Sequence, residues 1–175
     1  MSVSESKLLA ERQGDYFRST AFQEWSKKIN RVAIVKSMWY PEVIEGLVQS
    51  AKATFFENKI EEERIQLVNA SGALEIPLLT KKLLSLEEID LVVTLGCVLE
   101  GQTPHFEFVC HECFRALGQV QIDLEKAVGI GILTVSNIEQ AMERRQKGRE
   151  AAEAALMSSF ELSMINSIRG DRRAK

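Results

Sequence analysis

The sequence lacks any long hydrophobic run, which narrows the classes of protein to which it can belong. No apolar stretch approaches the roughly 18 residues that a membrane span needs, and the apolar residues at 8–10 are too few for the core of a signal peptide. We therefore expect a cytoplasmic protein. Its three cysteines, Cys97, Cys110 and Cys113, are then expected to stay reduced.

The sequence also lacks a large excess of either charge. The 22 basic and 25 acidic residues leave a formal net charge of −3, and no basic stripe is interleaved with aromatic residues. The sequence therefore offers no electrostatic case for binding nucleic acid. Hydrophobic residues are plentiful by contrast, at 45% of 175 residues, which is enough for one domain with a sizeable core and excludes a wholly disordered chain.

Short aliphatic and β-branched runs alternate with amphipathic stretches four times along the chain. The runs at 31–36, 64–68, 91–95 and 129–134 are typical of buried strands. Each is followed by apolar residues at helical spacing, and the connections are long enough for right-handed crossovers. The pattern predicts an α/β fold in which a parallel sheet is covered by helices on both faces.

The two ends of the chain depart from this alternation. Residues 1–29 are polar with scattered aromatics, which predicts a loose or partly helical arm, or alternatively an arm whose aromatic side chains dock on a neighbouring subunit. We expect one domain over residues 30–168 and a frayed tail over 169–175. Within the domain, Lys147-Gly148 is predicted to interrupt the helical region that follows the fourth strand.

The most informative stretch is a predicted strand, loop and helix. The strand at 91–95 is followed by Gly96 and Gly101, which are predicted to bracket a turn, and helical spacing begins at His105. Ligands of open parallel sheets bind at this end of the strands, where the first amides of a helix can hold an anion. Thr103 adds a hydroxyl and His105 an imidazole, a group that titrates near neutrality. The combination suggests acid–base chemistry on a phosphorylated substrate.

A Cys-x-x-Cys pair in the same predicted helix invites a zinc or redox interpretation. Cys110, His111 and Cys113 supply only three ligands, and no second such pair exists. The pair lies a turn or more inside the helix, whereas redox pairs open one. Packing of Cys113 on the apolar stripe is the better account, so we predict no metal site.

Three motifs resemble those of the lumazine synthase family, in the same order along the chain. The first is Gly-Cys-Val-Leu-Glu-Gly-Gln-Thr from Gly96, followed after one residue by His-Phe-Glu. The second is Gly-Ala-Leu-Glu-Ile-Pro from Gly72. The third combines Gly-Ile-Leu-Thr from Gly131, Glu-Gln-Ala from Glu139 and Lys-Gly from Lys147. The resemblance implies a flavodoxin-like three-layer α/β/α sandwich with four parallel strands in the order 2-1-3-4, and a homopentamer or a multiple of five.

The resemblance also implies roles for particular residues. His105 would shuttle protons, and Gln102, Thr103 and Arg144 would bind a phosphate. The pyrimidine ring and ribityl chain of the other substrate would contact a larger set: Trp39, Gly72, Ala73, Leu74, Glu75, Cys97, Val98, Leu99, Ile130 and Lys147. Ile130, Arg144 and Lys147 would come from a neighbouring subunit. From the residues alone, the charged run 143–147 is better interpreted as a solvated helix face, and it is shorter here than in many members of the family.

The implied reaction is the condensation of 5-amino-6-ribitylaminouracil with 3,4-dihydroxy-2-butanone 4-phosphate to 6,7-dimethyl-8-ribityllumazine. The enzyme would be a transferase of riboflavin biosynthesis that needs no metal or organic cofactor. Two alternatives remain open. One is a relative of archaeal-type riboflavin synthase, which the intact Gly-Gln-Thr-x-His loop disfavours. The other is a non-catalytic oligomeric scaffold that binds a flavin or lumazine.

Overall fold

A single parallel sheet organises the chain. The structure is a computed structural model that describes residues 14–173, with side chains up to residue 168. Four strands, β1 (Arg31–Ser37), β2 (Ile65–Ala70), β3 (Ile89–Leu99) and β4 (Ala127–Val135), pair in the order β2-β1-β3-β4. Every pairing is parallel. The predicted sheet and its strand order are therefore confirmed.

Helices connect consecutive strands and flank the sheet at both ends of the chain. In the described residues, a short helical segment at 14–18 is followed by six further α-helices. The six are α1 (Thr20–Ser26), α2 (Pro41–Glu57), α3 (Ile76–Leu84), α4 (His105–Leu124), α5 (Ile138–Glu143) and α6 (Lys147–Arg173). In the part of the chain that the structure describes, none of them has the length and apolar character to cross a bilayer.

The core consists of two apolar clusters, one on each face of the sheet. On one face, Val32 and Ile34 of β1 lie in a cluster with the buried sides of α2 and α6. On the other face, Ala33 and Val35 lie in a cluster with α3 and α4. The alternation along β1 follows from the two-residue period of a strand. The result is the predicted flavodoxin-like three-layer α/β/α sandwich.

The third strand is longer than its sequence pattern predicts. β3 extends to Leu99, and Gly96 lies within it rather than at a turn, which corrects the prediction that Gly96 and Gly101 bracket the loop. A Cβ atom on Gly96 would lie 3.0 Å from Ile132 Cδ1 and 3.4 Å from Ile76 Cδ1. The glycine is thus a packing residue that makes room for two isoleucines of the core.

The break before the last helix also differs from the prediction. Residues 144–146 form the turn, and α6 begins at Lys147, so Lys147-Gly148 does not interrupt a helix. Gly148 lies in the first turn of α6, where an added Cβ would lie 2.0 Å from the carbonyl oxygen of Leu47 in α2. The backbone of α6 also continues to Arg173, beyond the domain limit at 168 that the sequence suggests.

The N-terminal aromatic residues pack on their own chain. Phe22 is fully buried, and its ring centroid lies 5.4 Å from that of Phe160 in α6. Tyr16 and Trp25 also contact Phe160, with ring centroids at 5.7 and 5.4 Å. The Tyr16 hydroxyl donates a hydrogen bond of 2.7 Å to Glu161. The described part of the arm is therefore a helical brace on α6 of its own chain. Docking of the arm on a neighbouring subunit stays a prediction, and residues 1–13 lie outside the described residues.

We expect Gly129→Ala to destabilise the protein. A Cβ atom there would lie 2.0 Å from the carbonyl oxygen of Ala151, so α6 and β4 must separate. Overpacking of this kind lowers the free energy of unfolding by about 1–3 kcal/mol. Gly118→Ala is the control, because its Cβ would meet nothing within 4 Å, and alanine should stabilise this helix by about 0.5–1 kcal/mol. Urea unfolding measures both; equal midpoints would contradict the close packing.

Phe22→Ala tests the brace. Truncating a fully buried phenylalanine is expected to cost about 3–5 kcal/mol of unfolding free energy. Phe56→Ala, at a phenylalanine that is 46% exposed, is expected to cost less than about 1 kcal/mol. If thermal unfolding shows the same loss for both variants, the arm does not pack on α6 in solution.

Candidate active site

A cavity of about 320 Å³ opens at the carboxyl end of β3. It is lined by the last residues of β3, by the loops that follow β1, β2 and β3, and by the first turns of α4. Most of the residues singled out from the sequence lie around it, although they are distant in sequence: Trp39, Gly72, Ala73, Leu74, Glu75, Cys97, Val98, Leu99, Thr103 and His105. The position agrees with the general rule that open α/β sheets bind ligands beyond the carboxyl ends of their strands.

The exit from β1 places Trp39 at the mouth of the cavity. Trp39 is 63% exposed, an unusual position for an indole, and its ring centroid lies 6.5 Å from that of Tyr40. The next residue, Tyr40, has φ 55° and ψ 62°, the left-handed region that bulky residues rarely adopt. This conformation turns the chain sharply from β1 into α2, which begins at Pro41. Residues held in such strained conformations are commonly found at functional sites.

Gly72 allows two walls of the cavity to approach each other. A Cβ atom on this residue would lie 3.2 Å from Glu75 Oε2 and 3.6 Å from Trp39 Nε1. The indole of one loop and the carboxylate of the next therefore flank the same point. Leu74 and Glu75 are exposed, whereas Ala73 is buried against the sheet.

The last residues of β3 form a rigid wall. Cys97, Val98 and Leu99 are each paired in register with a residue of β4. Cys97 is only 5% exposed, and burial raises the pKa of its thiol to about 11. The thiol is therefore protonated at neutral pH and is a poor nucleophile. Its contribution to the site is shape.

The loop after β3 leads directly into α4. Glu100 still extends the β-ladder, since its N–H donates to the carbonyl of Val135 at 2.9 Å. Residues 101–104 then form an exposed loop, and no side chain caps the helix that starts at His105. The first amides of α4 are thus available to an anion. Thr103 and His105 are exposed and line the cavity beside them.

The charge of the cavity is unusual for a phosphate site. Among the described residues that line it, Glu75 is acidic and His105 is an imidazole, and none is a lysine or arginine. The other polar groups are the indole N–H, two hydroxyls and the Cys97 thiol. A single chain therefore offers hydrogen-bond donors to a phosphate but no permanent positive charge.

Four of the predicted site residues do not line this cavity. Gln102 is exposed in the loop after β3, and Ile130 is half-buried in β4 beside the α3/α4 face of the core. Arg144 ends α5, and its Nη1 donates to the carbonyl oxygen of Gln140 at 3.0 Å. Lys147 forms an ion pair with Glu150 in the first turn of α6. The resemblance assigns Ile130, Arg144 and Lys147 to the site of a neighbouring subunit.

Some residues that line the cavity were not predicted from the sequence. Tyr40 lines the cavity because of its left-handed backbone, for which the sequence carries no signal. Phe106 and Val109 line it because they belong to the apolar stripe of α4. The sequence carried a signal for these two residues. A helix that starts at the carboxyl ends of the strands has its first turn beside the site, and the apolar stripe marks its inner side.

The Cys-x-x-Cys pair lies apart from the cavity and is explained by packing. Both cysteines lie on α4. Cys113 is fully buried on the side that faces the core, as predicted, and Cys110 is half-buried. Both thiols are free, and burial raises the pKa of each. Within the described residues, no group of three or more histidine, cysteine or acidic side chains is arranged to hold a metal ion.

A family model described as 6,7-dimethyl-8-ribityllumazine synthase matches residues 30–162 of this chain. The match begins just before β1 and ends within α6, so it includes the whole sheet and every segment that lines the cavity. It covers well over half of the 175 residues. By this match, which agrees with the parallel sheet and its strand order, the chain belongs to the 6,7-dimethyl-8-ribityllumazine synthase family.

Proposed function

We propose that this chain condenses 5-amino-6-ribitylaminouracil with 3,4-dihydroxy-2-butanone 4-phosphate to give 6,7-dimethyl-8-ribityllumazine, without a metal or organic cofactor. One observation carries the proposal. In a member of this family, Trp39, Glu75, Thr103 and His105 line one cavity, although they come from three separate loops and the start of α4. We place the reaction in the cytoplasm, where the three unpaired cysteines stay reduced.

The side of the cavity at the exits of β1 and β2 suits the ribitylaminouracil. The exposed indole of Trp39 offers a flat face on which a pyrimidine ring can stack. Across the gap left by Gly72, the Glu75 carboxylate can accept hydrogen bonds from ribityl hydroxyls. The backbone of residues 72–75 and the edge of β3 at Cys97–Leu99 supply further donors and acceptors beside it.

The opposite side suits the phosphorylated ketone. The amides of residues 101–103 and of the first turn of α4 would hold the phosphate, and Thr103 would add its hydroxyl. Because a phosphate also favours a cation, we propose that Arg144 and Lys147 reach it from a neighbouring subunit, with Ile130 closing the ring pocket. The assembly would be a homopentamer or a multiple of five.

The chemistry proposed is proton transfer in an oriented complex. The amine attacks the ketone carbonyl, water leaves to give an imine, phosphate is eliminated, and the ring closes by attack of the second nitrogen on the remaining carbonyl with loss of a second water. His105, exposed at the junction of the two halves, would move protons between nitrogen and oxygen during these steps. Most of the rate enhancement would come from holding the two substrates in reactive contact.

A non-catalytic scaffold is the second candidate, and one observation favours it. The described residues that line the cavity include no lysine or arginine, so a single chain is better suited to a neutral flavin or lumazine than to a phosphate. Mixing the two substrates and following lumazine fluorescence separates the two functions. A scaffold would bind the product and form none of it.

His105→Ala is expected to reduce turnover about 100-fold or more, because the proton transfers lose their positioned acid and base. Product binding, measured by fluorescence titration, should persist. The matched control is His111→Ala, which removes the other histidine of the sequence from an exposed position on the same helix. Unchanged turnover in His105→Ala would rule out proton transfer by this residue.

Arg144→Ala is expected to raise the Michaelis constant for the phosphorylated substrate about tenfold or more, since a charge-assisted hydrogen bond to phosphate is lost. Arg145→Ala is the control. The neighbouring arginine lies on α2 of its own chain, where its stem covers Gly46, and its Nε donates to the carbonyl oxygen of Met142 at 2.9 Å. A larger effect from Arg145 would transfer the assignment to that residue.

A further inference from the structure

A side-chain hydrogen bond ties together the two loops that leave β3 and β4. The Ser136 hydroxyl donates to Glu100 Oε2 at 2.8 Å. Both partners are fixed by further bonds. The Glu100 N–H donates to the carbonyl of Val135, and the Ser136 N–H donates to Gln140 Oε1 at 3.1 Å. The Glu100 carboxylate therefore has a defined direction, toward the end of β4.

This direction matters because of where Glu100 stands in the chain. It immediately precedes residues 101–103, whose amides are proposed to hold the substrate phosphate. A carboxylate free to turn toward that loop would repel the phosphate, and an exposed acid normally samples many rotamers. Glu100 is exposed, yet it does not line the cavity. The hydrogen bond to Ser136 holds this carboxylate toward β4, and so away from the proposed anion site.

We propose that Ser136 is a positioning residue for the phosphorylated substrate, and that its hydroxyl keeps the Glu100 carboxylate turned away from the loop 101–103. The inference rests on the proposed function of that loop and deepens it. Gln140 is part of the same device, since its side chain accepts the Ser136 N–H and its own N–H donates to Asn137 Oδ1 at 2.9 Å. Ser136 is thereby held at the start of α5 while its hydroxyl points back at Glu100.

Ser136→Ala should raise the Michaelis constant for the phosphorylated ketone about fivefold, the size expected when a like charge comes within a few ångströms of a phosphate in a water-exposed site. The Michaelis constant for the ribitylaminouracil and kcat should change by less than about twofold, because uniform binding of one substrate is affected and not the chemistry. The effect should shrink at high salt, since exposed charges are screened there.

A double variant separates this electrostatic role from simple tethering of the loop. Ser136→Ala combined with Glu100→Gln still lacks the hydrogen bond, but it carries no charge beside the loop. We expect the Michaelis constant of the double variant to return to within about twofold of the wild-type value, and Glu100→Gln alone to lower it. If the double variant is as impaired as Ser136→Ala, the bond acts only as a tether and the inference is wrong.

Ser85→Ala is the matched control. Its hydroxyl donates to the carbonyl of Lys81 at 2.8 Å within the end of α3, just before the amino end of β3 and hence at the opposite end of the sheet. No kinetic constant should change. Thermal unfolding of all variants shows whether any loss of activity follows from a loss of folded protein; Ser136→Ala should unfold close to the wild-type temperature, because the hydrogen bond is exposed.

Binding of inorganic phosphate, measured by calorimetry on the same proteins, distinguishes the inference from the proposed function. If the wild type forms no lumazine but binds phosphate, and the affinity falls in Ser136→Ala and recovers in the double variant, the inference stands and the proposed reaction fails. If lumazine forms and Ser136→Ala leaves both the Michaelis constant and the phosphate affinity unchanged, the inference alone fails. A wild type with neither property overturns both.

Discussion

The parallel pairing of β3 with both of its neighbours is the constraint on which the site depends. The strand pairs with β1 over residues 89–95 and with β4 over residues 91–99. Its middle is buried on both faces. The buried Thr94 hydroxyl has a hydrogen-bond partner there, because it donates to the carbonyl oxygen of Gly129 at 3.1 Å. The strand is thus paired on both sides over residues 91–95 and on the side of β4 as far as Leu99. The loop after Leu99 therefore starts from a paired residue, which gives the proposed anion-binding loop a defined position.

Close packing of α6 fixes the other part of the molecule that bears on function. The absence of side chains on Gly129 and Gly148 lets this helix lie directly against the backbones of β4 and α2. The turn at 144–146 that leads into it is held as well, because the Ser50 hydroxyl donates to the carbonyl of Arg145 at 2.8 Å. Arg144, at the start of this turn, does not line the cavity of its own chain.

The sequence predicts the architecture well. Runs typical of strands alternate clearly with stretches of helical spacing, and the connections between them allow few strand orders. It fails where a glycine makes room for a neighbour rather than bending the chain. Gly96 lies in an apolar run and Gly148 in a charged one, and only the structure shows that they lie inside a strand and a helix. The motifs locate the loops of the candidate site, since consecutive parallel strands end at one edge. The bond between Glu100 and Ser136 is invisible in the sequence, because it joins residues 36 positions apart whose meeting depends on strand register.

The balance of charge argues that one chain holds an incomplete site for the proposed substrate. A bound phosphate ester carries close to two negative charges, and the amides of a loop and a helix terminus compensate only about half a charge. The described lining residues add a carboxylate, Glu75, and no permanent cation. Arg144 meanwhile makes one hydrogen bond to its own backbone and no ion pair among the described side chains, although a guanidinium has five donors. The proposal that a second copy supplies Arg144 therefore rests on two observations: the cavity has no cation among its described lining residues, and this guanidinium is not neutralised by any described side chain of its own chain.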